Sequence, residues 1–275
     1  FSLVLRLQRY ANFIKYTNFY ESFFDMKKKN AIFALEMEHK TRAIVLRTTK
    51  YGEDKFIIDF LTYDSGRESS IWKISKNRNA KVVKQLFQPL TIMDVVLDSA
   101  PNKQLSRIKE ARLAYVYSSL PFEEIKLSLA FFVAEFIMYA TRDLHDDSIL
   151  YDFVEQSLIW LDTADEGIAN FHLMFMIRMS RFLGFFPDMS SHRPGYIFDL
   201  REGRFSGEVP THKDYLLPED ANKMHILMRM TPSNLHYFKM TKKERNRIID
   251  FSLQFYRLHI PQFGEMKTLE VLRAL

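Results

Sequence analysis

Between Thr41 and Leu90, three β-rich runs are separated by two tight turns, and this pattern constrains the fold more than any other stretch. The runs are Ala43 to Leu46, Phe56 to Tyr63 and Ser69 to Ile74; the turns are Lys50 to Asp54 and Asp64 to Gly66. Apolar, β-branched and aromatic runs broken by Gly, Asp and Ser predict strands joined by turns. A helical segment around Ala80 to Phe87 follows, ahead of Pro89. Thr91 to Ser99 then alternates, with Met93, Val95 and Leu97 on one face and Asp94 and Asp98 on the other. A fifth run follows the turn-forming Ser99 to Asn102, at about Leu105 to Leu113. Three strands, a helix and two strands is the order of an OB-fold, a small barrel that often binds single-stranded nucleic acid.

Charge is unevenly spread. Arg67, Lys73, Lys76, Arg78, Lys81 and Lys84 lie within eighteen residues that hold one acid, Glu68. Such a surface suits a polyanion whose backbone must be tracked. Trp72 sits in the same stretch. It either offers a face on which a base stacks or belongs to the core, with the lysines as a solvated rim. The net charge of +5 conceals an acidic middle: residues 111–189 carry 5 Lys or Arg against 12 Asp or Glu.

The 275 residues include no cysteine, which excludes disulfides, thiolate catalysis and cysteine-ligated zinc, and fits a reducing cytoplasm. No window of some 18 uncharged apolar residues predicts a membrane span. The eight glycines form no phosphate-cradling loop, and the eight histidines show no paired metal spacing. Asp54, Asp59, Asp64 and Glu68 resemble a nuclease cation site only loosely, since turns attract acids anyway. His145-Asp146-Asp147 reads as an exposed helix connection. The chain is expected not to be an enzyme and to need no cofactor.

Residues 1–36 show no helix cap, no clean period and no cleavage signal, and they read as a leader outside the native domain. Beyond Tyr117 the pattern turns helical. Pro121, Glu123 and Glu124 start a helix whose apolar stripe is Ile125, Leu129, Phe132, Phe136 and Ala140. Helices are expected over Ile149 to Leu161 and Ile168 to Leu183, ended by Gly184 and Pro187. Residues 188–217 are loop-rich, with a hairpin turning at Glu202-Gly203. A final long helix opens with a capping box, Thr241 and Glu244, and buries Ile248, Phe251, Phe255 and Leu258. The fold class is therefore α+β: an OB-fold barrel over 37–116, then an all-α domain over 117–275 with a small β-hairpin insertion. Lys242, Lys243, Arg245 and Arg247, at a helix N-terminus, are a second set of phosphate contacts. Arg178 and Arg181 lie three apart in an otherwise apolar helix. They form either an anion pocket or internal salt bridges to acids such as Glu135 or Asp188.

Residues Thr41 to Arg67, Gln88 to Leu90, Leu183 to Asp188 and Lys267 to Leu275, in this order and spacing, resemble the RecO family of bacterial recombination mediators. The resemblance covers Met37 to Leu275. It implies a cytoplasmic, nucleoid-associated repair protein that binds single- and double-stranded DNA and anneals complementary strands. It also implies two protein partners: the single-strand-binding protein, held by its acidic, aromatic-ended tail, and RecR, with which RecA loading is promoted. For the tail, Arg178 and Arg181 would hold the terminal carboxylate over Phe175 and Phe182, with Arg142 as a third cation. Many relatives carry a four-cysteine zinc site after the segment matching Leu183 to Asp188; here Met189 to Pro210 has no cysteine. An OB-fold RNA- or tRNA-binding protein fits the first domain equally well, and an interaction module without nucleic-acid binding is the third reading.

Overall fold

A computed structural model describes residues 38–74, 85–98, 105–142 and 148–274. The leader, the basic segment 75–84, the turn at 99–104 and the His145-Asp146-Asp147 cluster lie outside the described residues, as does most of the helix expected at Ala80 to Phe87. Five strands come first: β1 (Glu38–Tyr51), β2 (Lys55–Thr62), β3 (Gly66–Lys73), β4 (Ile92–Asp98) and β5 (Ser106–Leu113). They close into a barrel in the order β1-β2-β3-β5-β4, antiparallel except where β3 meets β5 in parallel. This is the OB-type barrel anticipated from the strand order.

Closure follows from side chains that alternate along each strand. Ala43, Val45, Phe56, Ile58, Phe60, Met93, Val95 and Leu97 fill the interior. The opposite faces are equally apolar in places: Ile44, Leu46, Leu61 and Ile92 belong to the core of the helical region. β1 is thus buried on both faces, and a register shift between Val45 and Arg47 lets it bend around the barrel. Leu90 has φ 65, a strained value for a branched side chain. It is held there by its N–H on the Val45 carbonyl at 2.6 Å and by the Tyr117 hydroxyl on its own carbonyl at 2.7 Å.

The helical region contains α1 (Glu124–Ala140), α2 (Ser148–Thr163), α3 (Phe171–Phe182), α4 (Pro218–Met228), α5 (Lys242–His259) and α6 (Leu269–Ala274). Between α3 and α4 stands a three-stranded sheet of β6 (Ile197–Asp199), β7 (Arg204–Ser206) and β8 (Tyr215–Leu216), ordered β7-β6-β8. The hairpin turns at Gly203, φ 64, as its sequence requires. The third strand, two residues long, carries no periodic signal. The Thr241–Glu244 capping box is formed in both directions, at 3.2 Å and 2.8 Å. Two ends of the expected stripes differ: Ile125 is 52% exposed and Leu258 38% exposed.

At the start of α1 it is Lys126, at 1% exposure, that is buried in place of Ile125. Its ammonium donates to the Ser119 hydroxyl at 2.6 Å and the Asp162 carbonyl at 3.0 Å, with the Glu123 carboxylate at 3.2 Å. The Asp162 carboxylate, 1% exposed, accepts the backbone N–H groups of Ser118, Ser119 and Leu120 at 2.8–3.1 Å and the Tyr115 hydroxyl at 3.1 Å. Residues 115–120 join the barrel to α1, so this knot fixes the joint. Burial pushes the Asp162 carboxyl up, but the N–H donors of Ser118, Leu120 and Ser119 outweigh it and bring it to about 2 from the usual 3.8.

Replacing Asp162 by Ala strands these donors and is expected to cost roughly 2–5 kcal/mol in denaturant unfolding. A depressed carboxyl stabilises fully above its unfolded value, so the wild-type advantage should hold above about pH 4 and fade toward about pH 2. A difference in stability that stays constant across that window contradicts the assignment.

Candidate nucleic-acid interface

Alternation decides what the basic stretch presents. In β3, Trp72 lies opposite Phe56 and Lys73 opposite Lys55, so consecutive residues point to opposite faces. Trp72 points inward. It is 7% exposed, and its ring packs on Phe87 with centroids 5.3 Å apart. Trp72 is a core residue, and the stacking role expected of it is corrected. Lys73 points outward, exposed, with its ammonium 3.5 Å from Asp54, a pairing worth little in water.

Tyr51 pairs across the hairpin with Lys55, and Lys55 with Lys73, which places all three on one face. Tyr51 is 56% exposed and Lys50 beside it is exposed. The tip of the β1–β2 hairpin therefore presents Tyr51, Lys55 and Lys73 on one face, with Lys50 on the other and the acids Glu53 and Asp54 in the turn between them. The turn Lys50 to Asp54 carries this aromatic and lysine signal in the sequence itself. The Ile74 N–H donates to the Asp54 carbonyl at 2.8 Å, so the chain leaves the barrel beside this tip. The next residues are the segment holding Lys76, Arg78, Lys81 and Lys84, which lie outside the described residues.

Arg67 serves another purpose. Its guanidinium donates to the Met138 carbonyl at 2.9 Å, tying β3 to the last turn of α1. In the second basic set, Arg247 is bound to Asp220 through Nε at 3.1 Å and Nη2 at 2.7 Å. Lys242 reaches the Ala274 carbonyl at 2.5 Å and Arg245 the Met240 carbonyl at 2.8 Å, while Lys243 is exposed.

The tail pocket expected around α3 is not assembled. Phe175 is fully buried, and Phe182 stacks on Phe153 at 4.9 Å. Arg178 donates to the Met230 carbonyl at 2.8 Å, and burial followed by Arg181 lowers its pKa. Arg181 lies over the Phe186 ring at 4.4 Å, and Arg142 donates to Gln262 at 3.1 Å. Among the described residues neither arginine forms a salt bridge: Glu135 accepts from Lys267 and Thr268, and Asp188 from Ser190.

A hollow of about 430 Å³ opens instead beside the start of α3. Leu235, Phe238 and Met240 supply its apolar wall, and Lys239 and Arg245 its two cations, against the carboxylate of Glu166. Asn170, 4% exposed, lines it; its amide nitrogen donates to the Phe238 carbonyl at 2.7 Å, and its side-chain oxygen has no partner among the described residues. Gly167, φ 76, permits this close approach, since a Cβ there would stand 2.9 Å from the His236 nitrogen. Beneath lies His172, fully buried and kept neutral by burial and by Arg245, at about 3.

The family model for the recombination protein O N-terminal domain matches residues 37–117, and that for its C-terminal domain matches residues 123–269. The chain belongs to the RecO family. A DNA repair protein RecO of Phocaeicola vulgatus is 39% identical over 239 residues, spanning 87% of this chain and 99% of the relative. One from Bacteroides fragilis is 37% identical over 240 residues, and one from Flavobacterium psychrophilum 31% over 243, each spanning 87% of this chain and 99% of the relative.

The four-cysteine zinc site that the resemblance implies for many members would fall within Met189 to Pro210. The chain lacks cysteine, and no group of three His, Asp or Glu among the described residues converges on a metal position. The corresponding RecO segment is held by the Asp188 N–H on the Gly203 carbonyl at 2.8 Å, the His212–Asp199 contact at 3.4 Å and the packed rings of Phe198, Phe205 and Phe255.

The burial of Trp72 is testable by fluorescence. In a Trp160→Phe protein the remaining emission is expected to be blue and unchanged when single-stranded DNA is added, whereas Tyr51→Ala weakens binding. Trp72→Ala should destabilise the fold by about 3–5 kcal/mol. Quenching of Trp72 by DNA contradicts its inward placement.

Proposed function

We propose that this RecO-family protein is a non-enzymatic recombination mediator of the cytoplasm and nucleoid. It binds single- and double-stranded DNA, anneals complementary strands, captures the tail of the single-strand-binding protein and, with RecR, promotes RecA loading. The observation that carries the reading is the accessible Tyr51 ring beside Lys55 and Lys73 on one face of a closed barrel, followed in the chain by the basic segment 76–84. Lysines track phosphates while the tyrosine ring accepts a base.

If about four phosphates are neutralised, log K should fall against log salt with a slope near −0.7 per phosphate on a single strand. Reversing Lys76 and Arg78 should flatten that slope, and an unchanged slope moves the contacts to Lys242, Lys243 and Arg245. Annealing of DNA already coated with the single-strand-binding protein tests the mediator role directly. Tighter binding of matched RNA than of DNA, with no annealing, favours an RNA-binding protein instead.

The acidic, aromatic-ended tail fits the hollow beside α3 better than the closed helix flanked by Arg178 and Arg181. Its ring would lie against Phe238 and Met240, its carboxylates beside Lys239 and Arg245, and a peptide N–H on the unpaired Asn170 oxygen. With a labelled tail peptide, Arg245→Ala and Lys239→Ala are expected to weaken binding on the order of tenfold each. Arg181→Ala should leave it unchanged. The reverse ranking returns the tail to α3.

A further inference from the structure

A hollow of about 700 Å³ lies in the seam where β1, β4 and β5 face α2. Its charge is opposite to that of the hairpin tip. Five carboxylates line it (Asp64, Asp94, Glu110, Asp152 and Glu155), against three cations, Lys40, Arg42 and Arg112. Arg42 shows how a guanidinium sits there: Nη1 is 3.1 Å from Glu155 and Nε is 3.8 Å from Asp94. Arg112 takes the other Asp94 oxygen at 3.4 Å. Asp152 and Glu110 form no ion pair among the described residues, and Asp64 meets only His39, at 3.4 Å. The remaining negative charge is therefore concentrated rather than dissipated.

A second, independent observation lies in the wall. Tyr151 is 0% exposed, its ring edge-on to Tyr63 at 5.6 Å, and it lines this same hollow. Its hydroxyl has no hydrogen-bond partner among the described residues. Buried hydroxyls in native proteins are nearly always satisfied. Burial and then Glu155 push its ionisation far above the usual range, so at any working pH it is a neutral phenol whose oxygen accepts an N–H.

We propose that this seam docks an arginine- or lysine-bearing segment of a protein partner, its cation seated among Asp64, Glu110 and Asp152 and donating to the Tyr151 hydroxyl. The charge excludes a DNA strand. The apolar part of the lining on the outer face, Val96 with the rings of Tyr63 and Tyr151, matches the alkyl stem of such a side chain. Because one wall is barrel and the other helix, the partner reads the joint between the two.

The probe is a fluorescein-labelled glycine–serine peptide carrying spaced arginines, with spermidine as competitor, titrated into the full chain at low salt. Saturable binding is expected, weakened on the order of tenfold by Asp152→Asn combined with Glu110→Gln. Tyr151→Phe should weaken it while leaving the melting temperature equal or higher, which a merely structural tyrosine would not do. The same variants are expected to keep single-strand binding and its salt slope, separating the seam from the hairpin tip. Absence of saturable binding, or peptide affinity unaltered by all three substitutions, overturns the proposal. Spermidine binding more tightly than the peptide assigns the seam to small polycations and overturns the protein partner.

Discussion

The carboxylate of Asp162 is the constraint on which the arrangement of both halves depends. It sits on α2, yet its ligands are the N–H groups of Ser118, Ser119 and Leu120, in the connection that leaves the barrel. A loop with exposed backbone would let the barrel swing. Here the backbone donors are collected on one buried anion, and the buried Lys126 ammonium, held by the Ser119 hydroxyl and the Asp162 carbonyl, adds the compensating charge. Buried ions are tolerated only when every lone pair and proton is matched, and this cluster meets that condition. The result is a rigid joint made from polar groups, around which the apolar core runs without interruption.

That continuity explains the double-sided strands. Ile44, Leu46, Leu61 and Ile92 face α1 and its neighbours while the alternate residues fill the barrel. Arg67, reaching from β3 to the end of α1, repeats the same tie with a cation on helix-terminal carbonyls. A barrel that shares its core with helices cannot expose those faces to nucleic acid. Among the described residues, the hairpin tip with exposed Tyr51 lies outside that shared core.

Local pattern revealed the elements whose determinants are local. The strand alternation, the Gly203 turn and the Thr241–Glu244 box each depend on residues a few positions apart, and each forms. What escaped depends on distant partners. Trp72 and Lys73 differ only in which face the β2 pairing assigns them. Arg178 finds the Met230 carbonyl 52 positions away, and Arg247 finds Asp220 across two helices. β8 exists only because β6 offers an edge. The hollow beside α3 joins Asn170 to Phe238 and Arg245, three segments whose approach no spacing rule announces. Site residues were less legible than the fold for this reason: a fold repeats its signal along an element, whereas a site is assembled once.

Charge is segregated between two surfaces of the molecule. The hairpin tip is positive, and the seam between β1, β4, β5 and α2 is negative, with Asp152 and Glu155 coming from the acidic middle of the sequence. A polyanion such as a DNA strand would be repelled by a net negative seam and attracted by exposed lysines. A basic partner segment is steered oppositely. At ordinary ionic strength the screening length is about 8 Å, so the two fields act locally and do not cancel across the molecule. The joint at Asp162 fixes α2 against the barrel, and with it the wall of the seam that carries Asp152 and Glu155.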